Sequence, residues 1–166
     1  MQTTKVIWTN GCFDVLHRGH IELFKYAKSL GDYLVVGVDT DERVRASKGT
    51  ARPFNTIEDR VAMLESIKYI DEVVWFDVDC ELDTQVLLSH ADMTYVFDID
   101  GTICSKTDGD YTQAQPIPER IQKVNELYEE GHTIVYLTAR GMGRSDNSVS
   151  FAYESFYNLT HSQLLE

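Results

Sequence analysis

Short apolar segments alternate with helical segments along this chain, and that alternation limits the fold more than any other feature. Apolar runs that predict buried strands lie at residues 4–9, 33–38, 72–76, 95–100 and 133–137. Apolar residues at helical spacing predict helices over residues 19–30, from residue 56, over 84–90, from residue 117 and over 151–165. Strands that are apolar on both faces and separated by helices are typical of parallel sheets. We therefore predict an α/β, Rossmann-like parallel sheet with helices on both faces.

Polar segments predict three long loops between these elements. Residues 40–55 carry Gly49 and Pro53 and are expected to form a mobile loop, and residues 101–116 and 141–150 are expected to be loops as well.

The charge and cysteine content exclude several classes of protein. A formal net charge of −12 repels nucleic acid and anionic membranes, so we expect neither as a partner. A small anionic substrate would then need a local basic pocket. Three cysteines without paired metal spacing, together with an N-terminus that lacks a signal-peptide pattern, indicate a reducing, cytoplasmic setting.

A pair of histidines follows the first predicted strand. His17 and His20 are three residues apart at the start of a predicted helix, and residues at this spacing share a helix face. The helix N-terminus adds N–H groups and partial positive charge, which favour phosphate. Gly11 lets the backbone approach a ligand, and Gly19 leaves space for a base or ribose. The pattern predicts a site for the phosphates of a nucleotide.

The sequence from residue 4 to about residue 92 resembles the HIGH-motif nucleotidyltransferases. Its nearest members are the glycerol-3-phosphate cytidylyltransferases and the adenylyltransferase domain of ADP-heptose synthesis. The motifs that carry the resemblance are Asn-Gly-Cys-Phe-Asp at 10–14, His-Arg-Gly-His at 17–20, Lys-Gly-Thr-Ala-Arg-Pro-Phe-Asn at 48–55 and Glu-Asp-Arg at 58–60. We assign residues 1–92 to this part of the chain. The resemblance implies transfer of CMP or AMP from CTP or ATP to a phosphorylated sugar or polyol, with release of pyrophosphate.

The resemblance also implies roles for single charged residues. His17 and His20 would stabilise the triphosphate in the transition state, Lys48 would reach its β- and γ-phosphates, and Arg60 would clamp phosphate from its helix. Three of these residues have a structural alternative. His20 taken alone could be a satisfied core histidine, Lys48 could be a solvated loop lysine, and Arg60 could pair with a nearby acid.

The turn after the first strand would hold phosphate through its backbone. Gly11, Cys12 and Phe13 would offer N–H groups, and Asp14 would orient the turn or, alternatively, cap the following helix. Mg²⁺ would accompany the triphosphate. A homodimer is also implied by the resemblance.

A second motif, Asp98-Ile99-Asp100-Gly101-Thr102, ends the fourth apolar strand. Two carboxylates at positions i and i+2 point the same way from a strand end, where they could bind Mg²⁺. One of them could then attack phosphorus while the other moves a proton. Thr138 ends the next strand, where its hydroxyl could hold a phosphoryl oxygen.

This second part, residues 93–166, resembles the start of a haloacid-dehalogenase-type phosphatase. Asp98 matches the nucleophile, Asp100 the acid/base and Thr138 the second motif, with Asp98 and Asp100 as metal ligands. The family's later lysine and acidic pair do not follow, so we expect a truncated site with weak or no phosphatase activity.

Both parts are small, so we expect them to share one sheet in the order 3-2-1-4-5. Asp98 and Asp100 would then lie at the same sheet edge as His17 and His20. The nucleotidyltransferase pattern departs near residue 93, where its fourth strand is due, and its later Ser/Thr-rich segment is not found; both departures would impair activity. A sugar-phosphate phosphatase and an inactive nucleotide-binding remnant are the alternative functions.

Overall fold

The computed structural model of the 166-residue chain describes residues 4–76, 93–107, 109–138, 140 and 149–165. The strands are β1 (Val6–Gly11), β2 (Tyr33–Asp39), β3 (Glu72–Phe76), β4 (Met93–Asp98) and β5 (Thr133–Leu137). The helices are α1 (Arg18–Ser29), α2 (Asp41–Lys48), α3 (Ile57–Glu65), α4 (Pro118–Glu129) and α5 (Val149–Leu165). None of the described helices is long and apolar enough to cross a membrane.

The five strands form one sheet in the order β3-β2-β1-β4-β5, which confirms the predicted order. β1 pairs in parallel with β2 on one side, from Val6 with Tyr33 to Gly11 with Val38, and with β4 on the other. β2 pairs in parallel with β3. Residues 93–98 and 133–137, which belong to the part of the sequence with the second motif, therefore form the fourth and fifth strands of the same sheet as β1.

The central strands are buried on both faces, as a parallel sheet covered by helices requires. Ile7, Trp8, Leu34 and Val36 are completely inaccessible to solvent. Burial decreases at Asn10 and Gly11, where β1 reaches its carboxyl end. The turn that follows β1 therefore begins where the strand becomes accessible to solvent, at its carboxyl end.

By packing, the chain forms two compact units, one of residues 1–97 and 126–135 and the other of residues 98–125 and 136–166. The division predicted from the motifs, at residues 92 and 93, stays a prediction. The core cluster of the first unit consists of Val6, Trp8, Val35, Phe76, Met93, Tyr95 and Leu127. Trp8 fits there because position 37 is glycine, since a Cβ at Gly37 would lie 2.4 Å from the Trp8 ring.

The prediction of a loop over residues 40–55 is wrong for its first half, which forms α2. Thr40 caps this helix by accepting a hydrogen bond from the Arg43 N–H at 3.5 Å, and Asp41 and Glu42 stand in its first turn. Only Val44 is buried. Because α2 buries a single apolar residue, no apolar periodicity revealed it in the sequence.

The other predicted elements agree with the structure to within a few residues wherever the structure describes them. The predicted helix at 84–90 and most of the predicted loop at 141–150 lie outside the described residues. Within the predicted loop at 101–116 the structure adds a single 3-10 turn, Tyr111–Gln113.

Candidate functional site

His17 and His20 meet at the N-terminus of α1. His17 is the capping residue, and its Nδ1 accepts a hydrogen bond from the Gly19 N–H at 3.1 Å. The His20 Nδ1 in turn accepts from the His17 N–H at 3.3 Å. The two rings stack with centroids 3.9 Å apart and planes 21° apart. Because each Nδ1 accepts a hydrogen bond, the neutral tautomer of each ring carries its proton on Nε2, as a donor beside a helix N-terminus.

Gly19 lies against the His17 ring. A Cβ at this position would lie 2.9 Å from Cε1 of His17. The small residue therefore makes room for the His17 ring, and the space for a base or ribose expected from the sequence stays a prediction. The glycine of the motif is thus part of the histidine arrangement.

Phe13 supports the histidine pair from within the β1–α1 turn, residues 12–17. Its ring is buried, contacts His20 edge-on at a centroid distance of 5.4 Å and packs at a tilt against Phe24 at 5.2 Å. Phe13 has a φ of 41°, which is costly for a bulky side chain. The packing of its ring holds this backbone conformation.

Asp14 fastens the same turn to the segment that follows α2. One oxygen of its fully buried carboxylate accepts from the backbone N–H groups of Phe54 and Asn55, at 2.8 and 2.9 Å. The other lies 2.7 Å from Nε of Arg52. Burial acts to raise the pKa of Asp14, but these hydrogen bonds and the Arg52 charge outweigh it, so the pKa lies below its ordinary value. Asp14 therefore orients the turn as an anion and caps no helix.

Arg60 is completely buried, and its side chain reaches the backbone of the β1–α1 turn. Its guanidinium donates to the carbonyl oxygens of Cys12 at 2.6 Å, Asp39 at 2.8 Å and Asn55 at 3.2 Å. It also pairs with the Asp41 carboxylate at 2.6 Å. Of the two roles considered from the sequence, pairing with an acid is observed, and the side chain is not presented to solvent.

Lys48 brings a positive charge to the turn. It is the last residue of α2, and its Nζ lies 2.6 Å from Sγ of the half-buried Cys12. The residues predicted for the first site that the structure brings together are Gly11, Cys12, Phe13, Asp14, His17, Gly19, His20, Lys48 and Arg60. Arg52, Asn55 and Asp41 were missed. The first two belong to the Lys-Gly-Thr-Ala-Arg-Pro-Phe-Asn segment, so the signal was present but was not interpreted as a contact with Asp14.

The residues predicted for the second site lie in the second unit. They border an open cleft of about 230 Å³, lined by Asp98, Asp100, Lys106, Thr107, Tyr111 and Arg140. Thr138 is adjacent, since its hydroxyl lies 3.4 Å from the Asp100 carboxylate. The strand-end acids and the threonine are thus neighbours, as the spacing predicted.

Asp100 is already paired within the protein. The buried Arg140 guanidinium donates to its carboxylate through Nε at 3.0 Å and Nη2 at 2.8 Å. The remaining nitrogen of Arg140 donates to Thr160 and Gln163 on α5, at 3.2 and 2.5 Å. A bidentate pair of this kind is strong and directional. Arg140 therefore links the end of β4 to α5.

These contacts do not fit the expected metal site at Asp98 and Asp100. Arg140 engages both oxygens of Asp100, the positions that a cation would require. No group of three His, Cys, Asp or Glu side chains suited to a metal ion occurs among the described residues. Desolvation and the Asp100 charge raise the pKa of the neighbouring Asp98 carboxyl to about 6.

Comparison with known proteins supports the first motif and extends its range. The family model described as cytidylyltransferase-like matches residues 8–138, which includes β4 and β5. The departure expected near residue 93 therefore does not end the family likeness. These matches give no support to a joined haloacid-dehalogenase-type segment.

Individual relatives agree with the family match. The chain is 51% identical over 79 residues to the bifunctional protein HldE of Marinomonas, covering 48% of this chain and 17% of that protein. It is 35% identical over 129 residues to HldE of Campylobacter jejuni, covering 74% of this chain and 28% of that protein. The chain thus spans less than a third of the length of these curated relatives.

A solved structure resembles the fold as a whole. The crystal structure of the lipopolysaccharide core biosynthesis protein from Thermoplasma volcanium matches with a TM-score of 0.53 and 26% identity, covering 81% of this chain and 95% of that one. Together with the sheet order, the histidine pair and the family match over most of the sequence, this places the chain in the cytidylyltransferase-like family of nucleotidyltransferases.

Proposed function

We propose that this chain transfers AMP or CMP from a nucleoside triphosphate to the phosphate of a phosphorylated sugar or polyol, releasing pyrophosphate. The observation that carries the proposal is the stacked pair His17 and His20 at the N-terminus of α1, with Lys48 at the adjoining turn. The imidazole donors and the Lys48 charge adjoin the same turn of a protein of net charge −12, where an anionic substrate needs a local site of this kind.

The reaction needs positioning and charge stabilisation. A phosphate oxygen of the acceptor attacks the α-phosphorus, the bond to the bridging oxygen of the β-phosphate breaks, and pyrophosphate leaves. The Nε2–H groups of His17 and His20 would donate to the phosphates as negative charge shifts toward the leaving group. Lys48 would exchange its contact with Cys12 for the β- and γ-phosphates. Mg²⁺ would enter with the triphosphate as part of the substrate.

We favour AMP and a heptose-type sugar phosphate over CMP and a polyol phosphate. The 48–55 segment resembles the heptose branch of the family, and its Arg52 and Asn55 contact Asp14 of the turn. The relatives named HldE are consistent with this choice. CTP with a polyol phosphate is the competing outcome, and a homodimer in the cytoplasm is part of the same proposal.

The test is pyrophosphate release with ATP or CTP, Mg²⁺ and a panel of phosphorylated sugars and polyols. His17→Asn is the informative variant, because asparagine caps a helix well but cannot supply the imidazole donor. We expect it to lower kcat by about 100-fold or more. Lys25→Gln, an exposed change on the same helix, should leave kcat unchanged.

Two other outcomes correspond to the alternative functions. Triphosphate binding in calorimetry without turnover of any acceptor would indicate an inactive nucleotide-binding remnant. Phosphate release that survives His17→Asn but is lost in Asp98→Asn would indicate a phosphatase. The phosphatase is not favoured, since the Asp100–Arg140 pair occupies the second site.

A further inference from the structure

Arg60 contacts four segments around the first site, yet it does not reach the surface. Its side chain is completely inaccessible to solvent. One nitrogen donates to both the Cys12 carbonyl, in the β1–α1 turn, and the Asp39 carbonyl at the end of β2. A second nitrogen pairs with Asp41 at the start of α2. A third donates to the carbonyl of Asn55, whose backbone N–H binds Asp14.

The planar, five-donor shape of the guanidinium explains why an arginine stands here. One rigid group can satisfy several carbonyl oxygens that diverge from one point, and it keeps its charge when buried. A lysine offers a compact charge on a flexible stem and cannot bridge four segments at once. The contacts therefore fix the distance between the turn and α2.

We propose that Arg60 is a positioning residue that sets the β1–α1 turn and Lys48 relative to each other. This inference rests on the proposed function and adds to it. Through Cys12, Arg60 fixes the backbone that leads to His17, and through Asp41 it fixes the helix whose last residue is Lys48. Because its side chain is completely inaccessible to solvent, Arg60 itself would not contact phosphate. Its loss misplaces the groups that do.

The experiment compares Arg60→Met with Leu64→Ala, which removes another fully buried side chain from the same helix α3. Both variants are assayed at a temperature where circular dichroism shows each to be folded. A displacement of about 1 Å can cost about 100-fold in rate, so Arg60→Met should lower kcat to that extent and change the KM for triphosphate less. Leu64→Ala should retain kcat within twofold. Arg60→Lys should recover part of the loss.

A second readout follows the turn without using activity. Alkylation of Cys12 by iodoacetamide, followed by peptide mass spectrometry, reports the freedom of the turn, since this thiol is half-buried against Lys48. Arg60→Met should accelerate it at least tenfold relative to Leu64→Ala. If the parent protein releases no pyrophosphate with any acceptor, the proposed function fails while this comparison still decides the role of Arg60.

Asp41→Asn provides the decision if Arg60→Met does not fold. It retains the carbonyl contacts of Arg60 and weakens the link to α2, together with the looser Asp41–Arg45 pair at 3.7 Å within that helix. We expect it to lower kcat about tenfold while the melting temperature changes little, and additional replacement of Lys48 by alanine should remove most of that effect. The proposal is overturned if Arg60→Met matches Leu64→Ala in both readouts, or if Asp41→Asn keeps the parent kcat.

Discussion

At the scale of single residues, Asp14 makes the stability of the fold depend on acid. Its carboxylate is fully buried and its pKa lies below the ordinary value of 3.8, so it adds stability above that value. The contribution is lost as the pH falls through the lowered pKa of the folded state. We expect Asp14→Asn to lower the free energy of unfolding by about 2 kcal/mol at neutral pH.

The measurement is urea unfolding of both proteins from pH 7 to pH 3. The gap between the two curves should narrow toward the acid end, because the unfolded parent chain takes up a proton there more readily than the folded chain, whose Asp14 pKa is lowered. A gap that stays constant over this range would mean that the charge of Asp14 adds nothing. Asp32→Asn, which changes a more exposed acid in the same unit, serves as the control.

The residues of the first site could be predicted from the sequence, but not what each of their side chains contacts. The three-residue spacing and the helix start predict that His17 and His20 lie together. The orientation of the Arg60 side chain depends on three carbonyl groups that lie outside α3. The sequence of α3 alone contains no information about them. The contact between Gly19 and the His17 ring could not be predicted either. The position of this ring depends on how His17 caps α1, which only the folded backbone defines.

At the scale of elements, Arg140 fixes α5 to the strand end that carries Asp100. Its pair with Asp100 is buried on the arginine side, and removal of one partner from such a pair is strongly destabilising. We expect Arg140→Met to lower the free energy of unfolding by about 3 kcal/mol. In this variant, hydrogen exchange of the backbone amides of α5 should be faster than in the parent protein. The increase should be smaller in the rest of the second unit.

The double variant Asp100→Asn with Arg140→Met separates the pair from general damage. If the two groups act together, the double variant should be no less stable than the single Arg140→Met variant. Additive losses in thermal unfolding would show that Arg140 stabilises α5 through Thr160 and Gln163 alone.

Elements with a strong apolar pattern could be located from the sequence, and elements without one could not. The strands over 72–76 and 133–137 were predicted with the bounds that the structure has, because nearly all of their residues are apolar and polar segments flank them. The short helix α2 has a threonine cap and two acids in its first turn, which is a start signal, but its polar surface shows no apolar periodicity. Helices held mainly by caps and ion pairs are hidden from a search for apolar periodicity.

At the scale of the whole molecule, the two motifs in the sequence do not correspond to two sheets. The sheet order could be predicted because parallel strands need crossover helices and because either part alone offers too small a core. The partner of the two strand-end acids could not be predicted in this way. Two acids at a strand end indicate that a positive charge binds there, but the sequence does not show whether it is a metal ion or a side chain. In this protein Asp100 pairs with Arg140, which is distant in the sequence.

The sharing of one sheet predicts that residues 1–92 do not fold when separated from the rest. β1 lies between β2 and β4, so the cut would leave one side of its backbone unpaired. It would also remove Met93, Tyr95 and Leu127 from the cluster that buries Trp8. We expect the fragment to lack a cooperative urea transition, whereas the full chain should show one.

Tryptophan emission measures this directly, because the chain has two tryptophans and Trp75 is 60% exposed. With Trp75→Phe in both proteins, Trp8 is the only reporter. The full chain should emit at the short wavelength of a buried indole, and the fragment at the long wavelength of a hydrated one. A fragment with buried emission and a sharp transition would show that β4 is dispensable, since the first three strands would then form a core without it.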